Sequence, residues 1–288
     1  MNPKKKFLRI GSLVALGLLC LALLVGLAWT FLKPERAPNA QKSDKAVAAQ
    51  TRPQADTPGL KELTDLATFR AAYLAANGGR EGINRLQSLQ VTGTIESGGT
   101  TVPFRTIKKR PNKGIFTMSM PEYEINLVVN GDVVWQRVEQ PGMEPVDKLM
   151  PGDEARATQR LGYFFDTIMH VLLDEPSAIE RLAVDSWEGT ETLRMDFSSV
   201  ERTTAGSVHF DPDALQPIAQ IQNSGEDGQR LTRYEDYRAI GEGIQQPFRS
   251  ETFLNEERLN RTKINKVVVN PGILDFIFEY PAEEGPSS

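Results

Sequence analysis

The reading of the fold turns on YEINLVVNGDVVWQRV, residues 123–138. Two apolar runs flank Asn130 and Gly131, a pair that favours the positive backbone angles of a two-residue type I′ turn. The stretch is therefore predicted to be an antiparallel hairpin with Leu127 facing Val134. In a strand alternate side chains share a face, so Ile125, Leu127, Val129, Val134 and Val138 should form one apolar surface, with Trp135 on the opposite side.

The same period of two extends in both directions. Upstream, LQVTGTIE sets Leu89, Val91, Gly93 and Ile95 against Gln90, Thr92, Thr94 and Glu96, and TTVPFRTIKK and KGIFTMS follow. Between the last two lies RPNKG, whose Pro, Asn and Gly are turn residues. Arg105, Lys108, Lys109, Arg110 and Lys113 crowd this region. The simplest reading is a solvated hairpin tip; the alternative is contact of Lys108, Lys109 and Arg110 with anionic lipid head groups. Downstream, strands are predicted near IERLAVD, TETLRMDFS, GSVHFD, PIAQIQ, GQRLTRYEDYR, QPFRSETFL, RLNRTKINKVVV and DFIFEYP. Turns at Asp211 to Asp213, Gly225 to Gly228 and Asn270 to Gly272 separate several of them.

Helical spacing occurs in two places. LTDLATFRAAYLAANGG repeats Leu63, Leu66, Phe69, Tyr73 and Ala76 on one face and ends at Asn77, Gly78 and Gly79, with a second short turn over Arg80 to Gln87. GDEARATQRLGYFFDTIMHVLLDEP sets Leu161, Phe164, Phe165, Ile168, Met169 and Leu172 at helical intervals and closes at Pro176. An apolar stripe of this width has to bury against a sheet. The expected fold class is α+β, mainly antiparallel β: a curved half-barrel sheet of about a dozen strands covered by a few helices, rather than a parallel α/β fold.

Charge divides the 288-residue chain. Residues 1–60 hold nine Lys or Arg against three Asp or Glu, while the remainder holds 24 against 35. An acidic body is a poor partner for nucleic acid, whose binding rests on cations displacing counterions from phosphates. Ile10 to Leu32 is uncharged for 23 residues, long enough as a helix to cross a hydrocarbon layer of about 30 Å. Lys4, Lys5, Lys6 and Arg9 precede it and should keep residues 1–9 in the cytoplasm, sending the rest outward. The run is longer than the core of a cleaved leader, and the small-x-small triplet Gly26 to Ala28 lies inside it, so an uncleaved transmembrane anchor over 10–32 is preferred. Cys20, the one cysteine, follows Leu19, which is too large for the residue before a lipidation site; the outer domain is thus without disulfides. Residues 33–60 read as a flexible linker with a mean reach of roughly 30 Å. The domain proper is expected over 61–283, with a disordered tail at 284–288.

The chain offers little to catalysis. His170 and His209 are its two histidines and stand far apart in sequence, without a Cys or HxxxH partner, so no metal or cofactor is expected. Asp211, Asp213, Glu226 and Asp227 fall in turns, and nucleophile elbows, phosphate loops and dinucleotide fingerprints are absent from the sequence.

Together, YLAANGGREGINRLQSLQVTGT, the hairpin through KKRPNKG, VVNGDVVWQ, and later GQRLTRYEDYR, QPFRSETF and VVVNPGILDFIFEYP resemble the LolA and LolB lipoprotein-sorting family over residues 63–281. The resemblance implies an antiparallel half-barrel whose helices close an apolar cavity for acyl chains, without catalysis; it carries over no functional arginine. It departs from the family in its expected inner-membrane anchor. On this basis the chain is read as a periplasmic lipid- or lipoprotein-binding protein, with Val91, Ile125, Leu127, Val129, Val134, Phe164, Phe165, Ile168 and Met169 as candidate cavity residues. A module that binds another envelope protein through the same fold is the alternative, and an enzyme stands third.

Overall fold

A computed structural model of the chain describes residues 58–198, 205–223 and 228–281. The expected cytoplasmic start, transmembrane anchor, most of the linker, the tail at 284–288 and most of the turn at Gly225 to Gly228 lie outside them. Among the described residues no helix is long and apolar enough to cross a membrane.

Thirteen antiparallel strands form one sheet. The first six are β1 (Ser88–Ser97), β2 (Thr100–Lys109), β3 (Lys113–Met120), β4 (Tyr123–Asn130), β5 (Val133–Glu139) and β6 (Val146–Leu149). The other seven are β7 (Ile179–Trp187), β8 (Thr190–Ser198), β9 (Ala205–Phe210), β10 (Pro217–Asn223), β11 (Gln229–Ala239), β12 (Gln245–Leu254) and β13 (Glu257–Val269). Each group is a meander, and β1 pairs with β13, so the order runs β6 to β1, then β13 down to β7, and the sheet stays open. Bulges between Thr92 and Gly93, and between Thr252 and Phe253, add local bend. The expected curved antiparallel sheet is therefore present.

The decisive hairpin forms with a corrected register. Val129 pairs with Val134 and Leu127 with Gln136, because Gly131 and Asp132, not Asn130 and Gly131, make the turn. Gly131 alone takes the positive φ there, +62°, the preference of a turn with Gly at its first central position. The shift is two residues, so the apolar face survives intact.

One face of the sheet, the inner face, carries the helices α1 (Leu66–Ala76) and α2 (Gly79–Arg85), then α3 (Gly152–Gln159) and α4 (Thr167–Asp174). Leu60 belongs to the core as well, so the domain begins slightly before the expected boundary. Asp65 caps α1 by accepting from the Thr68 amide at 2.8 Å, and Gly78, at φ +83°, ends it as the left-handed residue expected there. Phe69 and Tyr73 of α1 meet Phe210 edge-on at 5.0 and 5.9 Å between ring centres. The expected single insert helix is broken instead. A 3-10 turn over Arg160–Gly162 follows α3, Phe164 and Phe165 sit at a bend, and the Asp166 carboxylate starts α4 afresh by accepting from the Met169 amide at 2.9 Å. Close approach explains the break: a Cβ on Gly162 would lie 2.8 Å from Val129 Cγ1, and one on Gly114 2.2 Å from the Leu161 carbonyl oxygen.

The outer face over β2 to β5 is covered by the C-terminal segment. DFIFEYP, expected as a strand, is a 3-10 turn over Asp275–Phe278 and an extended tail that packs Ile273, Ile277, Phe278 and Tyr280 against Ile107, Ile115, Val128 and Trp135. The Trp135 indole N–H donates to the Phe278 carbonyl at 3.2 Å. Trp135 thus lies opposite Val134, as read from the sequence, and β6, which the sequence reading missed, adds a short edge strand.

The basic turn is also corrected. Its cations fold back onto the protein: Lys108 Nζ donates to the Tyr163 carbonyl at 2.5 Å, and Lys109 Nζ donates to the Ile273 carbonyl at 2.7 Å. Arg110 donates to the Leu86 and Ile83 carbonyls at 2.8 and 3.1 Å, and Lys113 pairs with Asp275 at 2.8 Å. The Lys109 and Lys113 side chains are 26% and 21% exposed, far from a solvated tip. Carbonyl oxygens at the end of α2 and along the covering segments draw the cations inward.

Two outcomes are expected. Phe278→Ala should lower unfolding free energy by about 3 to 5 kcal/mol in denaturant titration, since a wholly buried ring is removed; a loss under about 1 kcal/mol would mean that the segment only rests on the surface. Burial pulls the Lys108 ammonium down from 10.5 to about 8, against a weaker upward pull from Asp166. Its folded pKa is below its unfolded one, so the cost of the buried charge is complete below about pH 8, and stability should rise from there toward about pH 10.4 as the folded state releases its proton first. NMR titration of the lysine side chains should find one group near 8 that is missing in Lys108→Met, and that variant should lack the corresponding rise in stability; a Lys108 titrating at the ordinary lysine value would refute the placement.

Candidate functional site

The inner face is built of two apolar wings and a polar band between them. The first wing lies on β2 to β5. Phe104 and Phe116 stack at 5.7 Å, Met118 pairs with Ile125, and Phe116 pairs with Leu127. Ile125, Leu127, Val129 and Val134 are 1–2% exposed, with Val129 meeting Gly162 of the covering turn. The second wing lies on β7 to β9 under α1 and α4, where Phe164, Ile168, Met169 and Leu172 join Leu193, Met195, Phe197, Val208 and Phe210 in one buried cluster.

The nine expected lining residues are thus divided. Four belong to the β4 and β5 surface, and Phe164, Phe165, Ile168 and Met169 belong to the helix side. Val91, opposite Val267 in the middle of the sheet, stands between them. Val91 and Phe165 are half-buried, whereas the other seven are buried. Arg110 links the parts. Its guanidinium lies 4.6 Å from the centre of the Phe164 ring and 5.4 Å from that of Phe165, while its N–H groups hold the carbonyls of Ile83 and Leu86.

The polar band was not anticipated from the sequence. By register, Gln220 of β10 lies beside Thr232 of β11, which lies beside Thr252 of β12; in the next row Tyr234 lies beside Ser250. The Tyr234 hydroxyl donates to Gln220 Oε1 at 2.6 Å, and the Thr232 and Thr252 hydroxyl oxygens are 3.4 Å apart. A hint lay in the strand period, which puts Thr232 and Tyr234 on the same face in GQRLTRYEDYR, but no spacing rule brings Gln220 to them.

Acidic and phenolic groups gather near the start of α4. A pocket of about 10 Å³, the room of one water, is lined by Tyr73, Asn77, Asp166, Leu215, Gln216, Pro217, Tyr237, Gln245 and Pro247. The Tyr237 hydroxyl donates to the Pro217 carbonyl at 2.6 Å. Burial pushes the Tyr73, Tyr234 and Tyr237 phenols up, and the Asp166 charge pushes them further, so they remain protonated donors at neutral pH. Surrounding protein also raises the Asp166 pKa, opposed by the Met169 amide and by Lys108. Its side chain keeps contact with solvent, so that upward push is partial.

The histidines are placed apart. His170 contacts Asp174 at 3.0 Å and stacks on Tyr163, while His209 is buried against Trp187 and the Thr192 hydroxyl, where burial lowers its pKa. Asp211 accepts from the backbone amides of Asp213 and Ala214 at 3.0 and 2.7 Å, the turn role expected of it. Among the described residues no group of three or more His, Cys, Asp or Glu could hold a metal ion.

No protein-family model matches the chain, and no curated protein matches it in sequence. Solved structures resemble it. A DUF1329 family protein from Desulfovibrio piger superposes with a TM-score of 0.52 at 13% identity, covering 77% of this chain and 97% of that one. A LolA superfamily protein, NE2245 from Nitrosomonas europaea, gives 0.49 at 13% identity, covering 73% and 96%. A putative outer membrane lipoprotein-sorting protein domain from Vibrio parahaemolyticus gives 0.48 at 11%, covering 76% and 97%. The likeness to the Desulfovibrio piger protein shows the fold: an open antiparallel sheet with helices packed on one face, as the strand pattern of the sequence leads one to expect.

Proposed function

We propose that the chain is an inner-membrane-anchored periplasmic protein that binds a lipid or the acyl chain of a lipoprotein on the inner face of its sheet, in envelope lipid or lipoprotein transport. The anchor reading rests on the uncharged run Ile10 to Leu32 and the lysines before it. The observation that carries the ligand reading is the inner face itself. Two apolar wings lie on either side of half-buried Val91 in mid-sheet, half-buried Phe165 packs against the helix-side cluster, and helices joined by short links cover them, an arrangement suited to an alkyl chain laid along the strands. The resemblance of its turn and strand patterns to the lipoprotein-sorting family implies the same ligand class. Binding needs no catalytic step, and the protonated tyrosines near Asp166 serve as hydrogen-bond donors rather than bases.

Native mass spectrometry of the full chain, extracted from bacterial membranes in mild detergent, tests the reading. The expected result is an added mass that organic extraction removes and that fragments as a lipid. Val91→Asp and Phe165→Asp should each lower the lipid-bearing fraction about tenfold or more, because a carboxylate beside an alkyl chain is strongly unfavourable. Their positions are half-buried, so the unfolding transition should shift little. A bare mass that stays unchanged after exposure to lipids and to acylated peptide would overturn the lipid reading. It would turn attention to the protein-binding alternative, for which Val133, Met143, Val146 and Leu149, 44–57% exposed around the β6 edge, are the surface to probe.

A further inference from the structure

The side chain of Gln220 carries an unfilled donor on the inner face. The residue is 6% exposed, its Oε1 accepts from the Tyr234 hydroxyl at 2.6 Å, and its Nε2 has no acceptor. A primary amide carries two N–H donors, and leaving such a donor buried without a partner costs about 1 to 3 kcal/mol. The strand register aims the residue to the helix-bearing side, between Val208 and Thr232. What lies beside it is uncharged: the hydroxyls of Thr232 and Thr252, then Ser250 next to Tyr234. Arg230, two residues along β11 on the same face, has a partner of its own.

An unfilled donor among neutral hydroxyls calls for a neutral acceptor. Phosphate or carboxylate would be matched by a free cation, and an alkyl chain alone would leave the amide unfilled. A carbonyl oxygen fits both conditions. The row from Tyr234 through Ser250 continues to Thr262 of β13 and Ile95 of β1, so apolar surface lies within reach of the same ligand.

We propose that Gln220, with the hydroxyls of Thr232 and Thr252, binds the carbonyl oxygen of the ester or amide bond that joins an acyl chain to its head group. The inference rests on the acyl-binding reading and adds which end of the ligand is held, and by which atoms. Gln220 therefore selects acyl linkages over plain hydrocarbon or ether-linked chains, and fixes how deep the chain enters.

The test uses a matched pair of probes, oleoyl lysophosphatidylethanolamine and its 1-O-alkyl ether analogue, which lacks the carbonyl. Each is titrated onto the full chain and bound fractions are read by native mass spectrometry. The wild-type chain should bind the ester about five- to tenfold more tightly, the worth of one neutral hydrogen bond. Gln220→Leu should remove that preference and leave ether binding unchanged, with only a small change in melting temperature, because the loss of the unfilled donor is offset by the Tyr234 hydroxyl losing its acceptor. Thr232→Val should reduce the preference in part and stands in if Gln220→Leu does not fold. Equal binding of ester and ether by the wild-type chain would overturn the role of Gln220 while leaving acyl binding in place. Binding of neither probe would overturn both.

Discussion

An open sheet of this width must bury its apolar stretches and protect its edges, and that constraint organises this molecule. Thirteen strands offer far more apolar surface than one layer of helix can cover, so the chain uses different material on each side. Helices α1 to α4 pack on the inner face and the C-terminal segment covers the outer face over β2 to β5. The cations near Pro111 connect the two coverings, with Arg110 holding α2 and the Phe164 ring while Lys109 and Lys113 hold the segment around Asp275. At the first edge, β6 is four residues long and is fixed by a bidentate pair between Arg137 and Asp147, with contacts of 2.7 and 2.8 Å. A short strand carrying charge limits further pairing there.

Covering by separate short pieces has a chemical result on the inner face. Where the helices sit, the wings are dry and the side chains are nearly all apolar. Where β10 to β12 pass between the coverings, Thr, Ser, Gln and Tyr can be tolerated because water or a ligand can meet them. The site is therefore more than a greasy slot. It is an apolar surface with a neutral polar seam, and its phenols stay protonated through the physiological range.

Much of this was legible from residue order alone. Alternation located twelve of the strands, and it assigned Trp135 and Val134 to opposite faces, because a period of two survives any error of register that is even. The misplaced turn at Asn130 was such an error. DFIFEYP misled for the opposite reason: closely spaced aromatics suit a strand, but they suit equally an extended tail pressed onto the back of a sheet, and Phe278 chose the latter by finding Trp135. The broken insert helix was hidden because Gly162 is set by contact with Val129, a residue 33 positions away. Gln220 was hidden more thoroughly. Its significance depends on one missing acceptor, and hydrogen-bond satisfaction has no signature along a single strand.

The pairing of β1 with β13 joins residues such as Leu89 and Val269 across most of the domain. Each meander can assemble from neighbours close in sequence, yet the seam that unites them waits for the last strand. For a chain made from its amino end, this means that the first six strands are complete, with a long unpaired border at β1, before β13 exists. Loop closure over that distance is slow compared with hairpin formation. Through the interval the border is a template for stray strand pairing. Folding of this protein thus sets a race between completion of its final hundred residues or so and capture of β1 by another chain, a race in which a chaperone that shields β-edges would decide the yield.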